Sequence, residues 1–214
     1  MVEDVLSISI AVSIYSYVLP LLVGLMYFKK VPLALKLVLF YVIISFIVDF
    51  LPSKLNFDSR NIYTAFSFFI IIKIYLNIAV NRYFRIFIWS VVPVFLIFFL
   101  WRTDILGNVY EWRSDITSFS FILVSVIGII FYFDMLGHQI SCRVLFYPYF
   151  ILNTAFLTYT MGTLFLFGLH DYMTADQWYY IPINTFFNLV KNVLLMFTFY
   201  RGWVYFGREI RAVK

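Results

Sequence analysis

Charged residues, cysteine and histidine are scarce in this chain, and each shortage excludes a class of protein. Of 214 residues, 13% are charged and 64% are hydrophobic, whereas a typical soluble domain has about 25% charged residues. A soluble fold could not cover so much apolar surface. The single cysteine, Cys142, excludes an internal disulfide and a multi-cysteine metal site. The two histidines, His138 and His170, are predicted at opposite ends of one helix, so we expect no metal site.

The motifs of common enzyme classes are also missing. The chain has no P-loop, no GxGxxG and no HExxH, and no nucleophile is predicted beside a histidine in the interior. We therefore predict that the protein is not an enzyme and has no catalytic residues. We attribute the net charge of +5 to an excess of basic residues on one side of the membrane, and we predict no nucleic-acid partner.

Long apolar runs are what the chain has instead. Residues 5–28 contain no charged side chain, and neither do residues 144–169. Uninterrupted runs of at least about 18 apolar residues predict transmembrane helices, and their lack of alternation excludes a transmembrane β-barrel. We predict an all-α, polytopic integral membrane protein in which residues 1–214 form a single seven-helix transmembrane domain in contact with the lipid bilayer.

Seven spans, numbered span 1 to span 7 in chain order, account for most of the sequence. Basic pairs and prolines such as Lys29-Lys30 and Pro52 mark several of their ends. Pro20, Pro93 and Pro148 fall inside predicted spans, where proline tends to kink a helix. The predicted bounds are about 5–28, 32–51, 60–80, 83–101, 115–136, 143–168 and 178–204.

The orientation follows from the distribution of lysine and arginine. An outside N-terminus places ten of these residues on the cytoplasmic side and four outside. Because cytoplasmic loops carry the excess of Lys and Arg, we predict an outside N-terminus and a cytoplasmic C-terminus. The acidic start of the chain does not suit a signal peptide. The expected location is the inner (plasma) membrane.

Span 7 carries a lysine near its middle, and polar residues share its face. At 100° per residue, Asn184, Asn188, Lys191, Thr198 and Gly202 fall within a sector of about 80°. A charged side chain at the bilayer centre costs about 2.5–3.5 kcal/mol on insertion scales. Lys191 is therefore either a structural, hydrogen-bonded lysine or a contact for an anionic ligand or a cofactor.

The expected partners of Lys191 are neutral. No Asp or Glu is predicted at matching depth, because Asp49 lies near the outer end of span 2 and Asp134 near the inner end of span 5. Span 6 is rich in polar residues and is predicted to face the polar stripe of span 7. The candidate partners are Asn184 and Asn188, then Asn153, Thr154 and Thr158 of span 6, and tyrosine hydroxyls.

Lys73 of span 3 is a second lysine within a span, and Asn77 follows one turn later. Lys73 either extends toward the cytoplasmic surface or faces inward beside Lys191, which would favour an anionic or carbonyl-bearing ligand. Ser9, Ser13 and Ser16 form a small-residue face of span 1, which we interpret as helix packing. The candidate ligand-binding residues are Lys191, Asn184, Asn188, Asn153, Thr158, Lys73 and Asn77.

The C-terminal tail alternates basic and aromatic residues. Arg201, Arg208, Arg211 and Lys214 are predicted to contact anionic lipid headgroups, each contributing about 1 kcal/mol. A membrane or cytoplasmic protein partner is a further possibility for this tail.

Two resemblances bear on function. Lys191 lies in the middle of a seventh helix, in an aromatic-rich bundle with its N-terminus outside, and so resembles the retinal-binding lysine of microbial rhodopsins. This resemblance implies retinal bound at Lys191. Span 3, however, offers Tyr63, Thr64 and Ser67 where those proteins have a carboxylate counterion. More broadly, Asn61-Ile62-Tyr63 opening span 3, and Trp178 before an Asn-rich span 7, resemble small seven-helix inner-membrane proteins of Bacteroidota-type bacteria. That resemblance implies the fold and no activity.

Four functions remain open. The first is a membrane-embedded sensor or signalling component with a polar small-ligand cavity between spans 3, 6 and 7 and no cofactor. The second is a transporter or channel for a small anionic solute. The third is a retinal-binding protein that uses Lys191, and the fourth is a structural subunit of a membrane complex.

Overall fold

The computed structural model of the protein describes residues 2–50, 60–103, 114–137, 144–168 and 180–212, and in these ranges the chain is helical. Seven helical spans in the described part are long and apolar enough to cross a membrane. The predicted all-α class with seven apolar spans is therefore confirmed. The helices are Val2–Ser16 and Val18–Tyr27, which together form span 1, then Leu33–Phe50, Arg60–Ile78, Arg82–Arg102, Ser114–Gly137, Pro148–Gly168 and Tyr180–Ala212.

Six residues named in the predictions lie outside the described ranges. They are Pro52, His138, Cys142, His170, Trp178 and Lys214.

Span 1 consists of two helices that meet at Tyr17. The Tyr17 backbone N–H donates to the Ile14 carbonyl at 3.3 Å, and the Leu21 N–H donates to the Tyr17 carbonyl at 3.1 Å. Pro20 has no N–H, so it cannot donate to the carbonyl four residues earlier, that of Ser16. The helical hydrogen-bond pattern is therefore interrupted three residues before the proline, although Tyr17 keeps helical dihedral angles of φ −67° and ψ −23°. The kink itself stays a prediction.

The other two prolines behave differently from each other. Pro93 lies inside an unbroken helix, whereas Pro148 is the first residue of span 6. Proline suits the first helical turn, because the N–H it lacks would have no partner there. Span 6 therefore begins at residue 148 rather than at the predicted 143, after a short 3₁₀ turn at Val144–Phe146. Span 7 continues past the predicted end at 204, to Ala212.

Span 7 is the helix around which the bundle is arranged. It packs most extensively against span 6 and also along both halves of span 1. Span 5 packs against span 6, and span 2 against span 3. Span 4 contacts spans 3 and 5, where the rings of Phe68 and Phe95 stack with centroids 4.0 Å apart. Span 4 is therefore at the side of the bundle away from spans 1 and 7.

Glycine allows spans 5 and 6 to approach closely at Gly128. A Cβ atom there would lie 2.9 Å from Leu157 Cγ and 3.0 Å from Asn153 Oδ1. Leu157 and Asn153 are both buried, so neither side chain has free space in which to move away. Near the end of the same helix, a Cβ at Gly137 would meet nothing within 4 Å.

We expect Gly128→Ala to lower the stability of the bundle and Gly137→Ala to leave it unchanged or slightly higher. Overpacking a close contact costs about 1–3 kcal/mol, whereas an unobstructed Gly-to-Ala change in a helix is worth up to about 1 kcal/mol in favour of Ala. The measurement is thermal unfolding of both purified variants in the same detergent. Equal melting temperatures would show that spans 5 and 6 do not approach at Gly128.

Candidate functional site

A cavity of about 340 Å³ lies in one end of the bundle. Its lining residues come mostly from the first halves of spans 1, 3, 5 and 7 and from the second halves of spans 2 and 6. The cavity is therefore at the end of the bundle that carries the N-terminus. Its wall is unusually polar for an apolar bundle. The polar lining residues are Ser13, Tyr17, Tyr41, Asp49, Arg60, Tyr63, Thr64, Ser67, Thr117, Ser120, Tyr159, Thr160, Asn184 and Asn188.

The opposite half of the bundle is filled by packed side chains. Leu35, Ile74, Ile127, Leu195 and Phe199 are all 0% exposed, and none of them lines the cavity. The described lining thus ends near the middle of the spans, at about the level of Tyr41 and Phe156. The cavity reaches the bundle interior from one end.

Lys191 is enclosed by tyrosine rings. Its Nζ atom lies 4.2 Å from the ring centroid of Tyr159, 5.2 Å from that of Tyr17 and 5.7 Å from that of Tyr41, and the residue is 1% exposed. These rings come from spans 6, 1 and 2, and all three line the cavity while Lys191 does not. A Schiff base between retinal and Lys191 would therefore require these rings to move.

Asp49 is the penultimate residue of the span 2 helix, where the sequence placed it, and it acts on Lys191 through its charge rather than through contact. Tyr17 Oη donates a hydrogen bond of 2.8 Å to Asp49 Oδ2. Asp49 lines the cavity and attracts Lys191 electrostatically, although no ion pair joins the two within the described part of the chain.

Three polar side chains of span 7 bond to the serine face of span 1, and one of them, Asn188, belongs to the predicted stripe. Sequence analysis expected the stripe to face span 6 and interpreted the serines as helix packing. Span 6 does pack against span 7, but the hydrogen bonds go to span 1. The pairs are Thr185 Oγ1 with the Ser9 carbonyl at 3.2 Å, Asn188 Nδ2 with Ser13 Oγ at 2.7 Å, and Asn192 Nδ2 with Ser16 Oγ at 2.6 Å.

Asn153 and Thr158 of span 6 lie away from the cavity. Asn153 is 0% exposed and joins three spans, because its Oδ1 accepts from Tyr75 Oη at 2.5 Å and its Nδ2 donates to the Gly128 carbonyl at 2.9 Å. Thr158 is half-buried. The geometry assigns Asn153 a role in holding spans 3, 5 and 6 together.

Lys73 and Asn77 are exposed on the outside of the bundle. Asn77 Nδ2 donates to the Lys73 carbonyl at 2.7 Å, a bond within span 3. Neither side chain lines the cavity. The doubly basic interior that would have favoured an anionic ligand is therefore not formed, since Lys191 is enclosed by the bundle and Lys73 is not.

The basic tail, as far as Ala212, forms the end of the span 7 helix. Arg201 Nε donates to the Phe146 carbonyl at 3.2 Å, and its guanidinium lies over the Phe146 ring at 5.0 Å. These contacts fasten span 7 to the turn that precedes span 6. Arg208 and Arg211 lie in the final helical turns. Their contact with lipid headgroups stays a prediction.

Two amide oxygens near the cavity have no hydrogen-bond partner in the described part of the chain. They are the buried Oδ1 atoms of Asn184 and Asn188, and both residues line the cavity. These two oxygen atoms expose no surface to the cavity, and Asn192 Oδ1, which does not line the cavity, is a third buried acceptor of the same kind. Within the described ranges, no group of three His, Cys, Asp or Glu residues could hold a metal ion.

Sequence analysis expected tyrosine hydroxyls near Lys191 and named Tyr63, but it did not identify Tyr17, Tyr41 and Tyr159. The chain has 17 tyrosines, and helical spacing alone does not select Tyr17, Tyr41, Tyr63 and Tyr159 from them. The one sequence clue was Tyr17, which lies within one turn of Pro20.

Scans against protein-family models, curated proteins and solved structures find no match to this chain. The function is therefore argued from the geometry of the cavity and of Lys191.

We expect Asn153→Leu to destabilise the bundle, because it removes two buried hydrogen bonds and leaves Tyr75 without its acceptor. Interhelical hydrogen bonds in membranes contribute about 0.6 kcal/mol on average and up to about 2 kcal/mol each. The measurement is the free energy of unfolding in mixed micelles. Asn77→Leu is the matched control on an exposed face. If the two variants unfolded alike, Asn153 would not join these spans.

Proposed function

We propose that this protein is a membrane-embedded sensor or signalling component that binds a small molecule in the cavity at the N-terminal end of the bundle. The observation that carries the proposal is a cavity in which most lining residues carry a polar group, built from six of the described spans. Spans 3, 6 and 7 contribute to it, as the sequence analysis expected, and spans 1, 2 and 5 complete it.

The size and composition of the cavity suit a small ligand. Its volume of about 340 Å³ falls at the lower end of the range of about 300–1,000 Å³ for ligand pockets. Such pockets combine apolar and aromatic walls with a few polar groups. Here Phe121, Phe156 and Phe167 accompany the polar side chains.

Span 7 supports a signalling role because it connects the cavity to the opposite end of the molecule. Its helix has 33 residues, which at 1.5 Å per residue is about 50 Å, longer than the hydrocarbon core of about 30 Å. Asn184 and Asn188 are near one end of this helix and Arg201 lies toward the other. A ligand that contacts the amides would act on a helix that continues beyond the membrane.

Span 1 supplies a second structural element that could respond to a ligand. Its break at Tyr17 lies at the cavity wall, and hydrogen bonds from Thr185, Asn188 and Asn192 attach it to span 7. Helix breaks of this kind are places where two helical segments change their mutual angle. Ligand contact with Tyr17 would therefore affect spans 1 and 7 together.

A transporter is the second candidate, because a cavity that reaches the interior from one end is also the shape of one state of an alternating-access carrier. The two functions differ in what happens to the filled half of the bundle. A carrier must open that half in another state, whereas a sensor need not.

We expect a cysteine at position 67 to react with a water-soluble thiol reagent, because Ser67 lines the cavity. The variant is Ser67→Cys in a Cys142→Ser background, labelled with a membrane-impermeant methanethiosulfonate added to whole cells. The reagent should reach it from outside if the N-terminus is outside. Ser125→Cys is the control, since Ser125 is buried and does not line the cavity, although it bonds to the lining residue Thr160. An unreactive Ser67→Cys would argue against an accessible cavity.

Thr198→Cys distinguishes the sensor from the transporter. Thr198 is 0% exposed in the filled half of the bundle. We expect the variant, again in a Cys142→Ser background, to stay unreactive toward the same reagent on the cytoplasmic face of inside-out vesicles. Steady labelling from that face would show that the filled half opens and would favour a carrier.

A further inference from the structure

We infer that the outer surface of span 3 binds an anionic phospholipid, whose phosphate contacts Lys73 at the end of the bundle opposite the cavity. The site is separate from the cavity, which neither Lys73 nor Asn77 lines. It gives a ligand to the second lysine within a span, which the proposed function does not use.

One face of span 3 is left unpacked by the rest of the bundle. Ile62, Phe66 and Phe69 on this face are 38%, 55% and 38% exposed, and Lys73 and Asn77 are also exposed. At 100° per residue, these five side chains fall within a sector of about 80°. They form one continuous line along the helix, which we call the span 3 stripe.

The span 3 stripe lies in a groove between spans 2 and 4. On one side of it, Tyr63 Oη shares a hydrogen bond of 2.8 Å with Ser45 Oγ of span 2. On the other side, the Phe69 ring meets the Phe95 ring of span 4 edge-on, with centroids 6.1 Å apart. Span 5 also packs against span 3. The stripe is the part of span 3 that these three neighbours leave uncovered.

The stripe changes from apolar to polar along its length. Span 3 has 19 residues and ends at Ile78, so at about 1.5 Å per residue it matches a hydrocarbon core of about 30 Å. Lys73 lies about 8 Å before that end on the same rise per residue. A lysine at this depth keeps its methylene groups in the apolar layer and extends its ammonium group to the membrane surface.

No acidic side chain in the described part of the chain neutralises Lys73. The Lys73 side chain has no hydrogen bond or ion pair there, and Asn77 Nδ2 bonds to the Lys73 backbone carbonyl. Asp134, on span 5 at the same end of the bundle, accepts from the Val80 backbone N–H at 3.3 Å. Span 5 packs against a face of span 3 other than the stripe. The Lys73 ammonium group therefore attracts an anion from the membrane surface.

Arg85 adds a second positive charge at this end of span 3. Its Nε and Nη2 atoms donate to the Ala79 carbonyl at 3.0 and 2.8 Å, directly after the last turn of span 3. A guanidinium has five N–H donors, and the exposed Arg85 uses two of them in these bonds. Two cations at one end of span 3 favour a headgroup with a net negative charge.

A phospholipid suits both parts of the stripe. Its phosphate accepts hydrogen bonds from the Lys73 ammonium group, and its acyl chains lie along Phe69 and Phe66. Basic sites between transmembrane helices on the cytoplasmic side bind anionic headgroups, and the predicted orientation makes this end of the bundle cytoplasmic. Phosphatidylglycerol is favoured over phosphatidylcholine, because choline would place another cation beside Lys73.

The test is native mass spectrometry of the purified full chain in detergent, titrated with dioleoyl phosphatidylglycerol or dioleoyl phosphatidylcholine. The wild type should bind phosphatidylglycerol more tightly. Lys73→Gln should lower the affinity for phosphatidylglycerol about fivefold, the effect of one basic residue near an anionic lipid, and leave the affinity for phosphatidylcholine unchanged. Lys73→Arg keeps the charge and should bind phosphatidylglycerol as the wild type does.

Lys29→Gln is the matched control. Lys29 is an exposed lysine in the turn after span 1, at the same end of the bundle, and it does not belong to the span 3 stripe. The variant removes the same charge, so its affinity for phosphatidylglycerol should change less than twofold. Both variants should melt like the wild type in lipid-free detergent, because each changes an exposed side chain.

Three results would overturn the inference. The first is equal affinity of the wild type for the two lipids, and the second is wild-type affinity for phosphatidylglycerol in Lys73→Gln. The third is an equal loss in Lys73→Gln and Lys29→Gln, which would show a general attraction between charges rather than a site at the stripe. None of these results bears on the cavity, which the Ser67→Cys labelling tests separately.

Discussion

The burial of one ammonium group, that of Lys191, is the constraint on which the rest of the bundle depends. A central charge costs about 2.5–3.5 kcal/mol on insertion scales, and Lys191 is 1% exposed with no hydrogen bond or ion pair to another side chain in the described residues. Three tyrosine rings within 5.7 Å offset that cost, because a desolvated cation–π contact contributes up to about 2 kcal/mol. The attraction of Asp49 adds to this. The rings can therefore balance the penalty without a direct ion pair.

The same tyrosines determine where the cavity lies. Tyr17, Tyr41 and Tyr159 face Lys191 and also line the cavity, so three spans must bring their rings to one point on span 7. Span 1 reaches that point at its helix break. The cavity and the enclosure of Lys191 therefore share three side chains.

Uninterrupted apolar runs of sufficient length were enough to predict the seven spans, because a bilayer requires both features of any helix that crosses it. The inward face of span 7 was also predictable, since Asn188 and Lys191 share a sector and both are buried.

The part of the site contributed by the other spans was not predictable from the sequence pattern. Lys73 looked similar to Lys191, yet it is exposed, because a lysine away from the centre of a span can reach the surface. Asp49 lies near the end of span 2 as predicted, but its bond to Tyr17 was not foreseen. Which helix faces which is set by side-chain packing between spans, and the periodicity of polar residues within one span does not specify it.

Tyr17 links the cavity to the buried charge more directly than any other described residue. Its hydroxyl donates to Asp49, its ring lies against Lys191, and its backbone forms the break in span 1. A ligand that competes for the Asp49 carboxylate would weaken the bond that orients Tyr17 and so remove one of the three rings that stabilise the ammonium. Binding can shift a conformational equilibrium only by its differential affinity for the two states. The difference in affinity between the two conformations has a physical source here. A conformation that loses the contact between Tyr17 and Lys191 must stabilise the ammonium group in another way. Span 7, which carries Lys191, extends to the far end of the bundle.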